Sequence, residues 1–472
     1  MRPTIHYTAG RTRYVETFEH GRLLGQRWSC DGCVPEPAAP DTMRDLPADS
    51  FDLIVDGQTL RRGWEWLDAE ERDAGHHVLR LRHAGRSIGV SVHTETDASG
   101  FLQRRIEIAN EGASPVSITR VSSFAGLLFP ELEAPDLAAA ESPFEIGRFL
   151  YRAWHTEGRF AWEPLPFDTL CLDAVRATSG WGPPFCMIRH KATGETFVIG
   201  LAWSANWRME FNYDPFYCIS SLSCRIGPSA APPLRVLEPG ARTASPPVHI
   251  GLQRGNEDDI VQAWHDYLRR RVMPKNRMSS FPPLSYNHSG GVLKDRFEGE
   301  QLLAEIDKAA EIGAELFVVD AGWFGRTRNR YSANCGDWIP GPCLPDGMAP
   351  VADRIHGHGM QFGLWVAFWM VGNKSAVFEA HPEWLIEIEG HRYFPNITEE
   401  GHPGFYMNLD LANPEALAWI EAELERIVTS YNVDMLRLDG GPTNYDGGYR
   451  DVHGYRENTL WRQNENFYRL ID

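Results

Sequence analysis

Hydrophobic and polar residues alternate along most of the first 250 residues, and this pattern predicts β-strands with one buried and one solvated face. In SIGVSVHTET (87–96), for example, Ile88, Val90 and Val92 occupy every second position. Clusters containing Gly, Asn, Asp or Pro separate such segments and predict turns. Many short strands joined by turns are typical of an antiparallel β-sandwich, which we predict for residues 1–255.

The hydrophobic period changes after this region. Residues 256–280 begin with a helical stripe and predict a connecting helix followed by a linker. From residue 281 onward, strand and helix patterns alternate. The predicted strands are 283–286, 315–320, 361–371 and 433–439. The predicted helices are 297–312, 348–359, one that begins at Asn413-Pro414, and 457–471. Four successive βα units indicate a parallel sheet.

Four units do not close an eight-stranded barrel. We therefore expect a multidomain β plus α/β protein: an antiparallel β-sandwich followed, at 281–472, by the first half of a (β/α)8 TIM barrel, truncated after about four βα units. On this interpretation the sequence is a fragment of a longer chain. The alternative is a complete, open four-stranded α/β sheet.

Composition narrows the classes of partner. The chain of 472 residues has a formal net charge of −18, which argues against nucleic acid or an anionic membrane as the main partner. A lone Cys30-x-x-Cys33 pair does not predict a metal site. No secretion signal or membrane-span pattern is visible, so a cytoplasmic location is expected.

The segment VDMLRLDGG (433–441) carries the first candidate chemistry. Side chains alternate along a strand, so Arg437 and Asp439 share one face while Leu436 and Leu438 take the other. Active sites of βα barrels lie at the carboxyl ends of the strands, where Asp439 falls. We expect the neighbouring guanidinium to keep this carboxylate ionised, as a nucleophile requires.

Other predicted strand ends carry the same kinds of residue. Asp320 ends the strand 315–320, and tryptophans follow in nearby segments. Carboxylates suit the chemistry of a glycosidic bond, and indole rings suit the apolar faces of sugars. The candidate substrate-binding residues are Asp320, Trp323, Asp337, Trp338, Trp365, Trp369, Arg437 and Gly441. Each tryptophan taken alone is better explained as a core residue, and the convergence of several at one edge is what favours a sugar site.

Several motifs resemble one family of carbohydrate-active enzymes. They are ELFVVDAGWFG, CGDW, HGMQFGLW, HPEWLI, LDLANPEA and VDMLRLD in the second half, with RFAWEP and GETFVIGLAWSANWRMEF in the first. They are similar to melibiase-type α-galactosidases of glycoside hydrolase family 36. The resemblance implies a β-sandwich before a (β/α)8 barrel and a retaining double displacement. It implies that Asp439 is the nucleophile and that the acid/base aspartate is not present in this chain.

The motifs also depart from the family's pattern. Ala321 stands where the family has a second aspartate, and Arg437 replaces a lysine. Further departures lie at Gly404, at Gly441, and at Ala367 and Trp369, which replace two glutamates. These changes leave the identity of the sugar open, because lost hydroxyl partners shift selectivity strongly.

We therefore predict a retaining exo-α-glycosidase that hydrolyses a terminal α-linked galactose or a similar sugar. Its partner would be an oligosaccharide or glycoside, and no metal or organic cofactor is implied. Asp353, His356 and His358 do not share one helix face and do not predict a metal site. A carbohydrate-binding pseudoenzyme is the alternative. A homo-oligomer in which two half barrels complete each other is a further possibility.

Overall fold

The computed structural model describes most of the chain. The described residues are 3–35, 48–132, 141–150, 158–174, 182–214, 220–276, 282–288, 298–327, 331–388, 391–392, 406–439 and 447–472. The contacts between Cα atoms divide the chain into two compact units. The first comprises Met1–Met273 with Arg450–Asn458, and the second comprises Pro274–Tyr449 with Thr459–Asp472.

The first unit consists mainly of β-strands. In chain order these are β1 Thr4–Ala9, β2 Thr12–Glu19, β3 Arg22–Ser29, β4 Asp52–Val55, β5 Gln58–Thr59, β6 Trp64–Asp73, β7 His76–His83, β8 Ile88–Thr96, β9 Leu102–Asn110, β10 Val116–Ser122, β11 Phe124–Leu132, β12 Phe144–Phe149, β13 Phe160–Pro164, β14 Thr169–Ala174, β15 Phe185–His190, β16 Glu195–Leu201, β17 Trp207–Asp214, β18 Ser220–Pro228, β19 Arg235–Leu237, β20 Arg242–Ala244 and β21 Val248–Arg254. One helix, α1 Glu257–Tyr267, follows them and continues as a π-helical turn at Leu268–Val272.

These strands pair antiparallel throughout the described part of the unit. The largest sheet has the order β13-β12-β15-β16-β21-β9-β8-β7-β6, with β20 paired to β9. Its alternation is visible in β8, where Ile88, Val90 and Val92 are buried as the sequence pattern predicts. Smaller sheets have the orders β1-β2-β3, β19-β10-β4-β5 and β11-β18-β17-β14. The prediction of an antiparallel β-sandwich is confirmed.

A buried ion pair links β2 to β9 inside this unit. The guanidinium of Arg104 donates to Glu16 Oε1 at 2.7 Å, and both side chains are at most 1% exposed. Tyr7 donates to Glu16 Oε2 at 2.7 Å, and Ser50 donates a short hydrogen bond to Oε1. Burial alone would raise the pKa of Glu16, but Arg104 and these donors outweigh it and lower that pKa. The carboxylate therefore stays ionised in an apolar surrounding.

The second unit contains the predicted alternation of strands and helices. Its strands are β22 Ser285–Asn287, β23 Leu316–Val319, β24 Gln361–Val366, β25 Met370–Gly372, β26 Glu387–Ile388, β27 His391–Arg392, β28 Tyr406–Asn408 and β29 Met435–Leu438. The next hairpin in the chain, β30 Tyr449–Val452 and β31 Tyr455–Asn458, belongs to the first unit apart from Tyr449. Its helices are α2 Gly299–Glu311, α3 Tyr331–Asn334, α4 Ala349–Gly357, α5 Ala376–Ala380, α6 Pro414–Tyr431 and α7 Leu460–Ile471, with a 3-10 turn at Pro382–Trp384. None of the helices in the described ranges is long and apolar enough to cross a membrane.

Four of these strands form one parallel sheet with the order β22-β23-β24-β29. Each strand is the neighbour of the next predicted strand, so the prediction of successive βα units is confirmed. Helix α6 begins as predicted, because the side chain of Asn413 accepts hydrogen bonds from Glu415 N and Ala416 N. Leu417, Ile420, Leu424 and Ile427 of this helix are buried, and the last three belong to the core cluster of the unit.

The domain boundaries that we predicted, 1–255, 256–280 and 281–472, stay a prediction. The contact-based division differs from them in two respects. It groups α1 with the first unit, where Ile260, Trp264 and Tyr267 pack against Phe101, Met187 and Val198. It also groups Arg450–Asn458 with the first unit, where the Glu457 carboxylate accepts from Val236 N and Asn458 N donates to Pro233 O at 2.9 Å.

Replacing Glu16 by Gln tests the buried ion pair. The substitution leaves the Arg104 guanidinium without a counter-charge in the core, so we expect the free energy of unfolding of the first unit to fall by about 3–5 kcal/mol. Urea denaturation followed by circular dichroism measures the change. The control is Glu257→Gln, because Glu257 pairs with Arg189 with 47% of its side chain exposed, and such pairs contribute less than about 1 kcal/mol. Equal losses in the two variants would contradict the assignment.

A second prediction concerns acid stability. Burial lowers the pKa of His249 to about 4, and its Nδ1 is 2.7 Å from the Tyr267 hydroxyl. Unfolding frees the imidazole to titrate near pH 6.5, so the unfolded state binds the proton first. We expect stability to fall as pH drops from about 6.5 towards 4, by up to about 3 kcal/mol. Melting temperatures measured across this range should show a shallower slope for His249→Gln. An unchanged slope would show that other groups control acid unfolding.

Candidate active site

The carboxyl ends of the four parallel strands meet at one edge of the sheet. In register, Val318 lies between Asn287 and Gly363, Gly363 lies beside Met435, and Trp365 lies beside Arg437. Asp320 directly follows β23, and Asp439 directly follows β29. The sheet therefore brings the predicted carboxylates, Arg437 and Trp365 to the same edge, as the strand-end pattern predicts.

Asp439 lies at the end of β29 and is exposed. Its Oδ2 accepts a hydrogen bond of 2.9 Å from the indole Nε1 of Trp365. The leucines on the opposite face of the strand, Leu436 and Leu438, pack against the core of the unit. The alternation inferred from the sequence thus places the Asp439 carboxylate on the side away from the leucines and in reach of solvent.

Arg437 contacts a different partner from the one that we expected. Its Nη1 donates to Asn287 Oδ1 at 2.5 Å and lies 3.4 Å from Asp320 Oδ2. Asn287 Nδ2 also donates to Asp320 Oδ2, at 2.7 Å, and Ala321 N donates to Asp320 Oδ1 at 2.6 Å. Asp320 is 8% exposed, so its charge needs these partners. Arg437 and Asn287 together hold the Asp320 carboxylate in place.

Trp365 is almost fully enclosed by other aromatic rings. Its ring stacks on Phe324 with an interplanar angle of 2° and meets the ring of Tyr331 edge-on at 88°. Its backbone carbonyl accepts from Trp323 Nε1 at 2.9 Å. Only 2% of the residue is exposed. The indole therefore presents its N–H edge, and not a ring face, to the site.

The other three candidate tryptophans lie in the core. Trp323, Trp338 and Trp369 are at most 1% exposed. Trp338 packs on Phe324 with ring centroids 4.7 Å apart, and Trp369 packs on Phe368 at 4.5 Å. Side chains of this burial contact protein and offer no ring face to a ligand, so the core interpretation fits them better.

Asp337 is also largely buried, and its contacts stabilise the local structure. Its Oδ1 accepts from Ala376 N, at the start of α5, at 2.8 Å. Its Oδ2 accepts from Arg326 Nε at 3.0 Å. Burial raises the pKa of this carboxyl, and these two donors act in the opposite direction. Asp337 thus anchors the loop to the N-terminus of α5.

Two of the positions singled out in the sequence, Gly404 and Gly441, lie outside the described residues.

Sequence reasoning missed two residues of this site. Asn287 is the last residue of β22, but our predicted strand ended at Tyr286, one residue too early. A polar side chain at that strand end was the available signal. Tyr331 packs against Trp365, and burial, with contributions from the charges of Asp439 and Asp320, raises its pKa to about 12. The sequence around Tyr331 gave no signal, because its contact with Trp365 is made only in the folded chain.

The described residues contain no group of three His, Cys, Asp or Glu side chains arranged to hold a metal ion. The two histidines near the end of α4 each contact a carboxylate instead. His358 is 2.8 Å from Asp307, and His356 is 2.9 Å from Asp434. Both distances describe ion pairs or hydrogen bonds on the surface.

Comparison with known proteins shows which family this part of the chain resembles. Residues 244–472 match the family model described as Melibiase. This part of the chain is similar to melibiases. The match covers the parallel sheet with Asp320, Trp365, Arg437 and Asp439, so the resemblance to melibiase-type α-galactosidases is confirmed.

The similarity to curated relatives extends over both halves of the chain. α-Galactosidase Mel36A of Lactobacillus acidophilus is 25% identical over 344 residues, which cover 72% of this chain and 44% of the relative. α-Galactosidase 1 of Pediococcus pentosaceus is 24% identical over 348 residues, again 72% and 44%. The chain thus spans less than half the length of these curated relatives.

Solved structures confirm the fold of the parallel-sheet unit and of the β-sandwich. The α-galactosidase AgaA of Geobacillus stearothermophilus superposes with a TM-score of 0.82 at 20% identity, over 100% of this chain and 70% of AgaA. A doubly substituted variant of AgaA, solved in complex with raffinose, gives a TM-score of 0.80 at 20% identity, with the same coverage.

Gly363 leaves room for the side chains beneath the site. A Cβ atom at this position would lie 2.9 Å from Val318 Cγ2 and 3.2 Å from Met435 Cε. We expect Gly363→Ala to lower the free energy of unfolding by about 1–3 kcal/mol, because the buried, stiff Val318 must move. The matched control is Gly357→Ala in α4, where nothing lies within 4 Å of the added Cβ. That variant should be neutral or more stable by up to about 1 kcal/mol. Thermal denaturation measures both, and a neutral Gly363→Ala would contradict the packing argument.

Proposed function

We propose that the protein is a glycoside hydrolase that acts on α-galactosides by a retaining double displacement. The observation that carries this proposal is the position of Asp439. Its carboxylate is exposed at the carboxyl end of a parallel strand and accepts a hydrogen bond from Trp365. Active sites of βα barrels are built at this edge.

Asp439 is assigned the role of nucleophile. Its carboxylate attacks the anomeric carbon and forms a covalent glycosyl ester as the aglycone leaves. A second carboxyl group, about 5–5.5 Å away in retaining enzymes, protonates the departing oxygen and then activates the water that cleaves the ester. By resemblance, we predicted that this residue lies outside residues 1–472, and that stays a prediction.

Asp320, Arg437 and Asn287 are assigned the role of positioning the sugar. Asp320 Oδ2 is 2.7 Å from Asn287 Nδ2 and 3.4 Å from Arg437 Nη1, so the three groups are held ready before a ligand arrives. Arg437 keeps 41% of its side chain exposed, which leaves it accessible at the mouth of the site. Preorganised donors of this kind contribute to transition-state binding because they need little rearrangement.

The proposed substrate class rests on the relatives. The curated relatives are named α-galactosidases, and AgaA variants have been solved with raffinose and with stachyose. We propose an oligosaccharide or glycoside with a terminal α-linked galactose or a similar sugar. The departures at Ala321 and Arg437 make a panel of α-glycosides, and not galactosides alone, the appropriate substrate set.

Covalent trapping tests the assignment of Asp439. We expect 5-fluoro-α-galactosyl fluoride to label the protein, and peptide mass spectrometry to find the label on Asp439. Fluoride departs without needing strong protonation, so the test reports on the nucleophile more than on the acid. Asp439→Asn should abolish labelling, because the attacking carboxylate is removed.

The matched control is Asp434→Asn. Asp434 is exposed just before the same strand, where its Oδ2 accepts from Phe362 N at 2.7 Å. We expect this variant to be labelled as the unmodified protein is. The same labelling is attempted with 5-fluoro-α-glycosyl fluorides of several other sugars. If the folded protein takes no label from any of them, hydrolysis through Asp439 is ruled out and the carbohydrate-binding alternative gains support.

A further inference from the structure

The tryptophan in the parallel sheet has an unusual relation to the proposed nucleophile. Trp365 was expected to contact the sugar with its ring, but the residue is 2% exposed and only its N–H edge reaches the site. That N–H donates to Asp439 Oδ2 at 2.9 Å. We propose that Trp365 is the positioning residue of Asp439 and holds one of its carboxylate oxygens in place. The part of this inference that concerns catalysis rests on the proposed function.

The register of the sheet explains why a long side chain is needed. Trp365 lies beside Arg437 on the neighbouring strand, so it is level with a residue two positions before Asp439. A short donor at position 365 would not bridge that offset, because two residues along a strand span about 6.6 Å. The indole reaches across it and ends in a donor that cannot accept a hydrogen bond. The indole N–H can therefore donate to an ionised carboxylate, but it cannot accept a hydrogen bond from the hydroxyl of a protonated acid.

The surroundings hold the indole in one orientation. Phe324 stacks on its ring in parallel, with centroids 5.7 Å apart, and Tyr331 contacts it edge-on at 5.6 Å. Trp338 lies 6.3 Å from the same ring. Trp323 Nε1 donates to the carbonyl of Trp365 at 2.9 Å, which also fixes its backbone. Two tryptophans that the sequence linked to a sugar, Trp323 and Trp338, thus support Trp365 instead.

This enclosure strengthens the bond to Asp439. A hydrogen bond between an N–H group and an ionised carboxylate is stronger than one between neutral groups, and an apolar surrounding increases the difference. A donor to the charged form also favours ionisation. Phenylalanine would fill much of the same space but would leave Asp439 Oδ2 without this donor. The variant Trp365→Phe therefore isolates the N–H group from the packing.

The first test measures the bond without any reaction. With ¹⁵N-labelled tryptophan, the indole N–H resonance of Trp365 is identified by its loss in Trp365→Phe. We expect Asp439→Asn to move this resonance more than any other indole resonance, because the charged acceptor is lost. If the Trp365 resonance stays in place, the bond does not exist in solution and the inference is overturned. This outcome leaves the proposed function of Asp439 intact.

The second test follows the rate of inactivation by 5-fluoro-α-galactosyl fluoride as a function of pH. We expect Trp365→Phe to move the acidic limb of the profile upward by about one pH unit, because the carboxylate loses a donor to its charged form. The maximal inactivation rate should fall about tenfold or more. The concentration for half-maximal rate should change little, since the indole is enclosed and does not contact the sugar. A merely structural role would leave the pH limb in place.

The matched control is Trp384→Phe. Trp384 is a buried indole of the same unit whose Nε1 donates to the carboxylate of Glu415 at 3.5 Å. Its removal deletes the same kind of bond elsewhere, so the acidic limb should not move. If Trp365→Phe keeps both the limb and the rate of the unmodified protein, the positioning role is rejected. If the unmodified protein is never labelled, the proposed function fails. The resonance measurement alone then decides whether the hydrogen bond between Trp365 and Asp439 exists. That measurement also decides if Trp365→Phe does not fold, with the resonance then assigned through nuclear Overhauser contacts to the ring of Tyr331, which packs against Trp365.

Discussion

The pairing of the buried Asp320 carboxylate is the constraint on which the arrangement of the site depends. A carboxylate that is 8% exposed is costly unless donors surround it, and here they come from three places. Asn287 and Arg437 reach Oδ2 from β22 and β29, and Ala321 N reaches Oδ1 from the next residue. The charge thus ties together the ends of strands that are distant in sequence. Arg437, whose own orientation follows from this pairing, lies two residues before Asp439.

The order of strands and the faces of their side chains could be predicted from the sequence. Alternation along VDMLRLD places Leu436 and Leu438 against the core and leaves Asp439 on the other side, as observed. The partners of the charged groups could not be predicted in the same way. Alternation states which face a side chain occupies, whereas Arg437 pairs with Asp320 across the sheet. Our expectation that it would serve Asp439 came from nearness in sequence, which does not describe neighbours in a parallel sheet.

The tryptophans show the same limit. Their number and their positions near strand ends suggested ring faces for a sugar. The structure buries Trp323, Trp338 and Trp369, and it turns Trp365 so that its N–H is the edge that reaches the site. Whether a loop tryptophan folds back into the core depends on tertiary packing, such as the stacking of Phe324 on Trp365. No local pattern carries that information. The sequence therefore identified the right region of the fold, but it did not show that the tryptophan rings pack in the core.

A comparison of the two arginine–carboxylate pairs separates stability from function. In the β-sandwich, Arg104 and Glu16 are both sealed in the core, at most 1% exposed. At the sheet edge, Asp320 is similarly enclosed, but 41% of the Arg437 side chain is exposed. A sealed pair can only contribute to the fold, and replacing it by apolar residues is often neutral. In the second pair, the buried Asp320 is fixed while the exposed part of Arg437 can contact a ligand that enters the site. The same chemistry therefore serves packing in one unit and preorganisation in the other, and the exposed fraction of the arginine decides which.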